Sequence, residues 1–185
     1  AAYLAISAIQ ASQKSLYQED FANTTDFLNL RLNLNGVRAA QLTMMVLTNR
    51  PDQERWRQDS NDRSRELDAT LRALLERGRS DPRLFSRIEE LKAIHEAFEQ
   101  TRATQINPLI LEGKLEEAKK LALGVNAERY GKMRAIAEKL GKAAVGKARA
   151  AVAESESRAQ QAVGLFAAAG VVAVLLAVAM VLLLN

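Results

Sequence analysis

Five polar residues carry the most specific chemistry in this sequence: Arg31, Arg38, Arg63, Arg102 and Gln105. A guanidinium is a planar fork of donors that matches a carboxylate. These residues would bind a small organic anion or an amino acid; they would not transform one. The competing reading is ordinary surface chemistry, in which the arginines snorkel to solvent between helices or pair with Glu66, Glu99 or Glu128. His95 is the single histidine, and with Glu99 it forms an i,i+4 pair. A metal centre needs more ligands than that pair supplies. The chain has no cysteine, and it shows no Ser/His/Asp arrangement and no phosphate loop. The expectation is a protein that is not an enzyme and uses no cofactor and no metal.

The elements that position these residues are helices. Pro51, Gly78, Pro82 and Gly113 punctuate otherwise periodic segments, which predicts four antiparallel helices near 1–48, 52–77, 82–111 and 114–184. Gly78 suits the residue after a helix end, Ser80 or Asp81 an N-cap, and Pro82 a first turn. Pro108 should kink the third helix or begin its end. Gly124 allows a bend or a fresh start in the fourth. Counted from the tips at residues 49–51 and 112–114, Arg38, Arg63 and Arg102 each lie about 11–12 residues down, within one turn of a common level. Ser60, Thr101 and Gln105 flank that level, and Asn126, Arg129 and Tyr130 follow on the last helix. The inward stripe of the third helix reads Leu84, Ile88, Leu91, His95, Phe98, Arg102, Gln105 and Leu109.

The first helix has two apolar stripes. Phe21, Leu28, Leu32, Asn35, Ala39, Leu42 and Val46 form one; Leu30, Leu34, Val37, Gln41 and Met44 form the other. Two faces imply two partners. The first stripe is assigned to the chain's own bundle, and the second to a copy of the chain in a parallel homodimer.

Residues 162–184 form 23 positions without a charge, a proline or an amide. As a helix they span roughly 34 Å, enough for a hydrocarbon core of about 30 Å. Residues 1–9, AAYLAISAI, read as the outer end of a membrane helix. The division is therefore 1–9 membrane end, 10–161 extracytoplasmic four-helix bundle, 162–184 transmembrane helix. The fold class is all-α, an up-down-up-down four-helix bundle whose last helix continues into the membrane. Lys and Arg total 26 against 22 Asp and Glu, mixed along the chain, so nucleic acid is not an expected partner.

This architecture resembles the ligand-binding domain of bacterial methyl-accepting chemotaxis receptors. Locally, Leu30-Arg31-Leu32-Asn33-Leu34-Asn35-Gly36-Val37-Arg38, followed by Met44-Met45, is similar to the first-helix arginine segment of the aspartate and serine receptors. The resemblance implies a periplasmic or external sensor anchored in the cell membrane, in which arginines of both protomers hold ligand carboxylates. The family segment has three arginines, and only Arg31 and Arg38 fit here, so amino-acid specificity does not carry over. Sensor histidine kinases and membrane cyclases use similar domains. A structural helical tether and a tail-anchored intracellular protein are the remaining alternatives.

Overall fold

The computed structural model of the chain describes residue 7, residues 10–11 and residues 13–184. The expected membrane end at residues 1–9 lies, apart from Ser7, outside the described residues. Of the described residues 94% are helical and none is in a strand. A π-helical turn, Leu16–Phe21, leads into α1, Ala22–Val46. Then come α2, Arg50–Gly78, and α3, Pro82–Thr101. A second π segment, Arg102–Ile106, joins α3 to the short α4, Asn107–Leu111. The last arm is α5, Leu115–Leu123, followed by α6, Val125–Leu184. Four helical arms thus stand where four were expected.

The stops and starts have local causes. Asn49 caps α2 by accepting the Asp52 amide at 2.9 Å, with Pro51 in the first turn. Asp81 caps α3 by accepting the amides of Arg83 and Leu84 at 3.1 and 3.0 Å, and Pro82 follows it. Gly113 turns the chain into the last arm with φ +78°. Gly78 does not take the left-handed position expected of it. It is the last residue of α2 and is buried, where even a Cβ would stand 3.5 Å from Ile88.

The chain forms two compact units, Asn23–Ala144 and the pair of segments Ala1–Ala22 with Val145–Asn185. In the first unit, Phe27, Leu30, Leu34 and Val37 of α1 pack with Leu67, Leu71 and Leu74 of α2. Ile88, Leu91 and Phe98 of α3 and Met133, Ile136 and Ala137 of α6 complete that core. A separate apolar cluster holds Met44, Met45, Ile106, Ile110, Ala118 and Ala122, with Trp56 against it. Between the two clusters every arm carries buried polar side chains. They are Gln41 on α1, Ser60 and Ser64 on α2, Thr101 and Arg102 on the third arm, and Asn126 on the fourth. The polar level inferred from sequence is thus a layer enclosed between two apolar ones.

The assignment of the two α1 faces is corrected. Leu30, Leu34, Val37, Gln41 and Met44 are buried within the chain's own bundle. Leu28, Leu32, Asn35, Ala39, Leu42 and Val46 are exposed. Both stripes have helical period and similar apolar content, so periodicity alone did not decide between them. Burial within one chain does: a parallel homodimer through α1 would use the exposed stripe. In such a homodimer single cysteines at Leu32 and Ala39 would crosslink between copies, and cysteines at Leu34 and Val37 would not. Crosslinking at Leu34 and Val37 only would restore the original assignment.

In the second unit, Asp20 is buried and its carboxylate lies 3.3 Å from the Lys147 ammonium. Beyond Arg158, α6 carries an 18-residue window of mean hydropathy 2.8, none of it buried. This helix is long and apolar enough to cross a membrane.

Candidate functional site

Arg102 is the largest buried side chain, 2% exposed. Its Nε donates to Glu99 Oε1 at 2.9 Å and its Nη2 to Glu99 Oε2 at 2.6 Å, a bidentate pair. Nη1 donates to Ser60 Oγ and Nη2 also to Asn61 Oδ1, each at 2.9 Å. The guanidinium is held from within the chain and ties the third arm to α2. Of Glu66, Glu99 and Glu128, it is Glu99 that pairs with Arg102.

Arg63 is also paired within the chain, through Nε to Asp59 Oδ2 at 2.7 Å. This bond raises the Arg63 pKa above its ordinary value. Its aliphatic stem lies across Gly36 of α1: a Cβ there would meet Arg63 Cδ at 2.6 Å. Gly36 therefore admits Arg63 to the surface of α1. Positions 36 and 38 lie about 200° apart around a helix, so Arg63 reaches α1 on the flank opposite to the one from which Arg38 projects.

Gln105 is exposed. The cause is the π segment. The Asn107 amide bonds to the Arg102 carbonyl five residues back, which adds one residue to the turn. The inward register therefore moves from Gln105 and Leu109 to Ile106 and Ile110. Pro108, which lacks an N–H and would crowd the carbonyl four residues back, follows directly. Arg31, one heptad before Arg38, faces the α6 flank near Glu138. The Glu138 carboxyl is held below its usual range chiefly by a hydrogen bond from Lys142, with a smaller pull from Arg31.

Arg38, unlike Arg63 and Arg102, is bonded to no carboxylate among the described residues. It is half-buried, and burial lowers its pKa from the ordinary guanidinium value, against a small opposing effect of Tyr130. Its Nη1 donates to Gln41 Oε1 at 3.2 Å and to the Ala122 carbonyl at 2.8 Å. Its Cζ stands 5.8 Å from the centre of the Tyr130 ring, whose hydroxyl donates to Asn35 Oδ1 at 2.8 Å. Among the described residues no carboxylate lies within 4.0 Å of it. Gln41 Nε2 and both amide atoms of Asn126 are buried without a hydrogen-bond partner. Sequence reasoning placed Gln41 at a dimer interface and so missed it here. The signal that could have found it is a lone amide within an otherwise apolar stripe. The five residues proposed from sequence do not form one cluster: Arg102 and Arg63 are internally paired, Gln105 faces solvent, and Arg31 is a heptad away from Arg38.

His95 is 1% exposed, with Nε2 3.1 Å from Asp68 Oδ1. Burial lowers its pKa, and Arg102 adds to this; Glu99 and Asp68 oppose it. A base whose pKa is lower folded than unfolded binds fewer protons when folded. Its contribution to stability is therefore present above about pH 6.5 and is lost as pH falls toward the folded value. Thermal unfolding between pH 8 and pH 5 should show a loss of stability that His95→Gln reduces. An identical pH profile in His95→Gln would contradict this assignment. No group of metal-ligating side chains occurs among the described residues.

The described residues form an all-helical bundle with a polar layer between apolar clusters and a terminal helix long and apolar enough to cross a membrane. Residues 1–159 match the family described as a four helix bundle sensory module for signal transduction. The chain belongs to this family, the sensory module of methyl-accepting chemotaxis proteins. No match was found among curated proteins or among solved structures.

Proposed function

We propose that this sensory module is an extracytoplasmic, ligand-binding input domain of the chemoreceptor type. In this reading residues 162–184 span the cell membrane and a second copy packs on the exposed α1 stripe. The domain binds a ligand without transforming it. The ligand is a small organic anion, and Arg38 makes the direct contact. The observation that carries the reading is a half-buried guanidinium with no carboxylate within 4.0 Å among the described residues, next to the buried, unpartnered amide nitrogen of Gln41. Arg63 and Arg102 belong to the scaffold in this reading, because both are held by carboxylates of their own arm.

The test is calorimetry on the 185-residue chain in nanodiscs with a panel of organic acids and amino acids. A hydrogen bond to a charged group is worth about 1.5–3 kcal/mol. Arg38→Ala should therefore weaken binding roughly 10- to 150-fold and leave helicity unchanged. The reading fails if no anion binds, or if Arg38→Ala binds as tightly as the parent.

A further inference from the structure

We propose that Arg38 is a latch on the break in the last arm at Gly124. It holds the broken form by occupying the Ala122 carbonyl, and a small anion that takes the guanidinium lets the helix close. The trigger rests on the anion reading above; the latch itself rests on the geometry of the break.

In an uninterrupted α-helix the Ala122 carbonyl would accept the Asn126 amide, four residues on. Here Gly124 takes φ −89° and ψ −114°, which turns the chain out of the helical path for one residue. The helix resumes at once: the Gly124 amide bonds to the Lys120 carbonyl at 3.1 Å, and the Glu128 amide to the Gly124 carbonyl at 3.1 Å. The Ala122 acceptor is taken by Arg38 Nη1 at 2.8 Å. Arg38 thus satisfies in the broken form an acceptor that would otherwise be satisfied by closure; with two lone pairs the carbonyl is not blocked, so the latch acts by removing its need for the Asn126 amide.

The break also depends on glycine. A Cβ at Gly124 would stand 2.6 Å from the Lys120 carbonyl oxygen, a backbone atom that cannot swing aside. The broken form leaves Asn126 Nδ2, Asn126 Oδ1 and Gln41 Nε2 buried and unpartnered. Buried polar atoms without partners raise the energy of a conformation, which brings an alternative within reach. Asn126 lies in the first turn after the break, so closure would reorient it. Bonds from a guanidinium to an anion are stronger than those to a neutral carbonyl. An anion at Arg38 therefore competes successfully with Ala122, and the freed carbonyl returns to the helix.

The experiment is amide hydrogen exchange, read at Asn126, on the 185-residue chain in nanodiscs. Arg38→Gln and Gly124→Ala are compared with the parent, and the parent is measured with and without sodium succinate. Closure gives the Asn126 amide its helical acceptor. Exchange there should slow at least tenfold in Arg38→Gln, in Gly124→Ala, and in the parent with succinate. Calorimetry on the same samples reads binding independently. Succinate that binds without slowing exchange at Asn126 would overturn the latch and leave the anion reading intact. Slowing in both variants without any succinate binding would support the latch and remove succinate as its trigger. If Arg38→Gln misfolds, Gly124→Ala decides: unchanged or faster exchange at Asn126 in that variant overturns the proposal.

Discussion

Glu99→Ala should destabilise the bundle by about 3–5 kcal/mol, the cost of breaking a buried ion pair from one side. Arg102 is 2% exposed, and Glu99 is the one carboxylate bonded to it among the described residues. Guanidinium does not lose its proton in proteins, so it cannot escape the penalty by becoming neutral. Ser60 Oγ and Asn61 Oδ1 would remain as partners, but they are dipoles and not counter-charges. Thermal or denaturant unfolding of the full chain, followed by circular dichroism, measures the loss. Glu99→Gln should fall between parent and Glu99→Ala, because it keeps an acceptor and removes the charge. The double variant Glu99→Leu, Arg102→Leu should recover most of the loss, since an apolar pair avoids the desolvation cost of two ions. A loss below about 1 kcal/mol in Glu99→Ala, typical of an exposed pair, would mean that water reaches Arg102.

The breaks in the helical pattern were legible because their causes are local. Pro51, Pro82 and Gly113 act on their own turns, and Asn49 and Asp81 cap them within three residues. The level of the polar layer was also legible, because rise along a helix is a count of residues. Direction around the helix axis was not. Arg63 and Arg38 share a level, yet Arg63 lies across Gly36 on one flank of α1 while Arg38 projects from the opposite flank toward Ala122. The third arm shows a second limit. Its stripe is correct through Phe98 and Arg102 and then shifts by one residue at Arg102–Ile106, because hydrophobic period carries no mark of a π turn. The two faces of α1 show a third. Each is apolar, and deciding which is covered by the same chain requires knowing where α2, α3 and α6 stand. The His95–Asp68 contact joins α3 to α2 and has no sequence signature. The Glu99–Arg102 pair, three residues apart on one arm, does.

Two arginines within the apolar part of α6, Ala169→Arg with Ala173→Arg, should abolish membrane insertion of residues 162–184. These residues include 13 of Val, Leu and Phe. At about −0.3 to −0.6 kcal/mol each near the bilayer centre they favour insertion by roughly 4–8 kcal/mol. One arginine near the centre costs about 2.5–3.5 kcal/mol, so a single substitution leaves a reduced but measurable inserted fraction. Two cost roughly 5–7 kcal/mol and cancel most or all of the driving force. Position discriminates further: Ala162→Arg, at the end of the apolar stretch, can place its head in the interface and should have little effect. The readout is a glycosylation acceptor placed beyond residue 185, scored for which side of a microsomal membrane it reaches. A soluble helix with the same exposed apolar surface predicts the reverse ordering, since each added arginine would raise its solubility and none would alter sidedness. Retention of parental sidedness in the double variant would therefore remove the membrane span from the proposed receptor and leave this surface to be covered by protein.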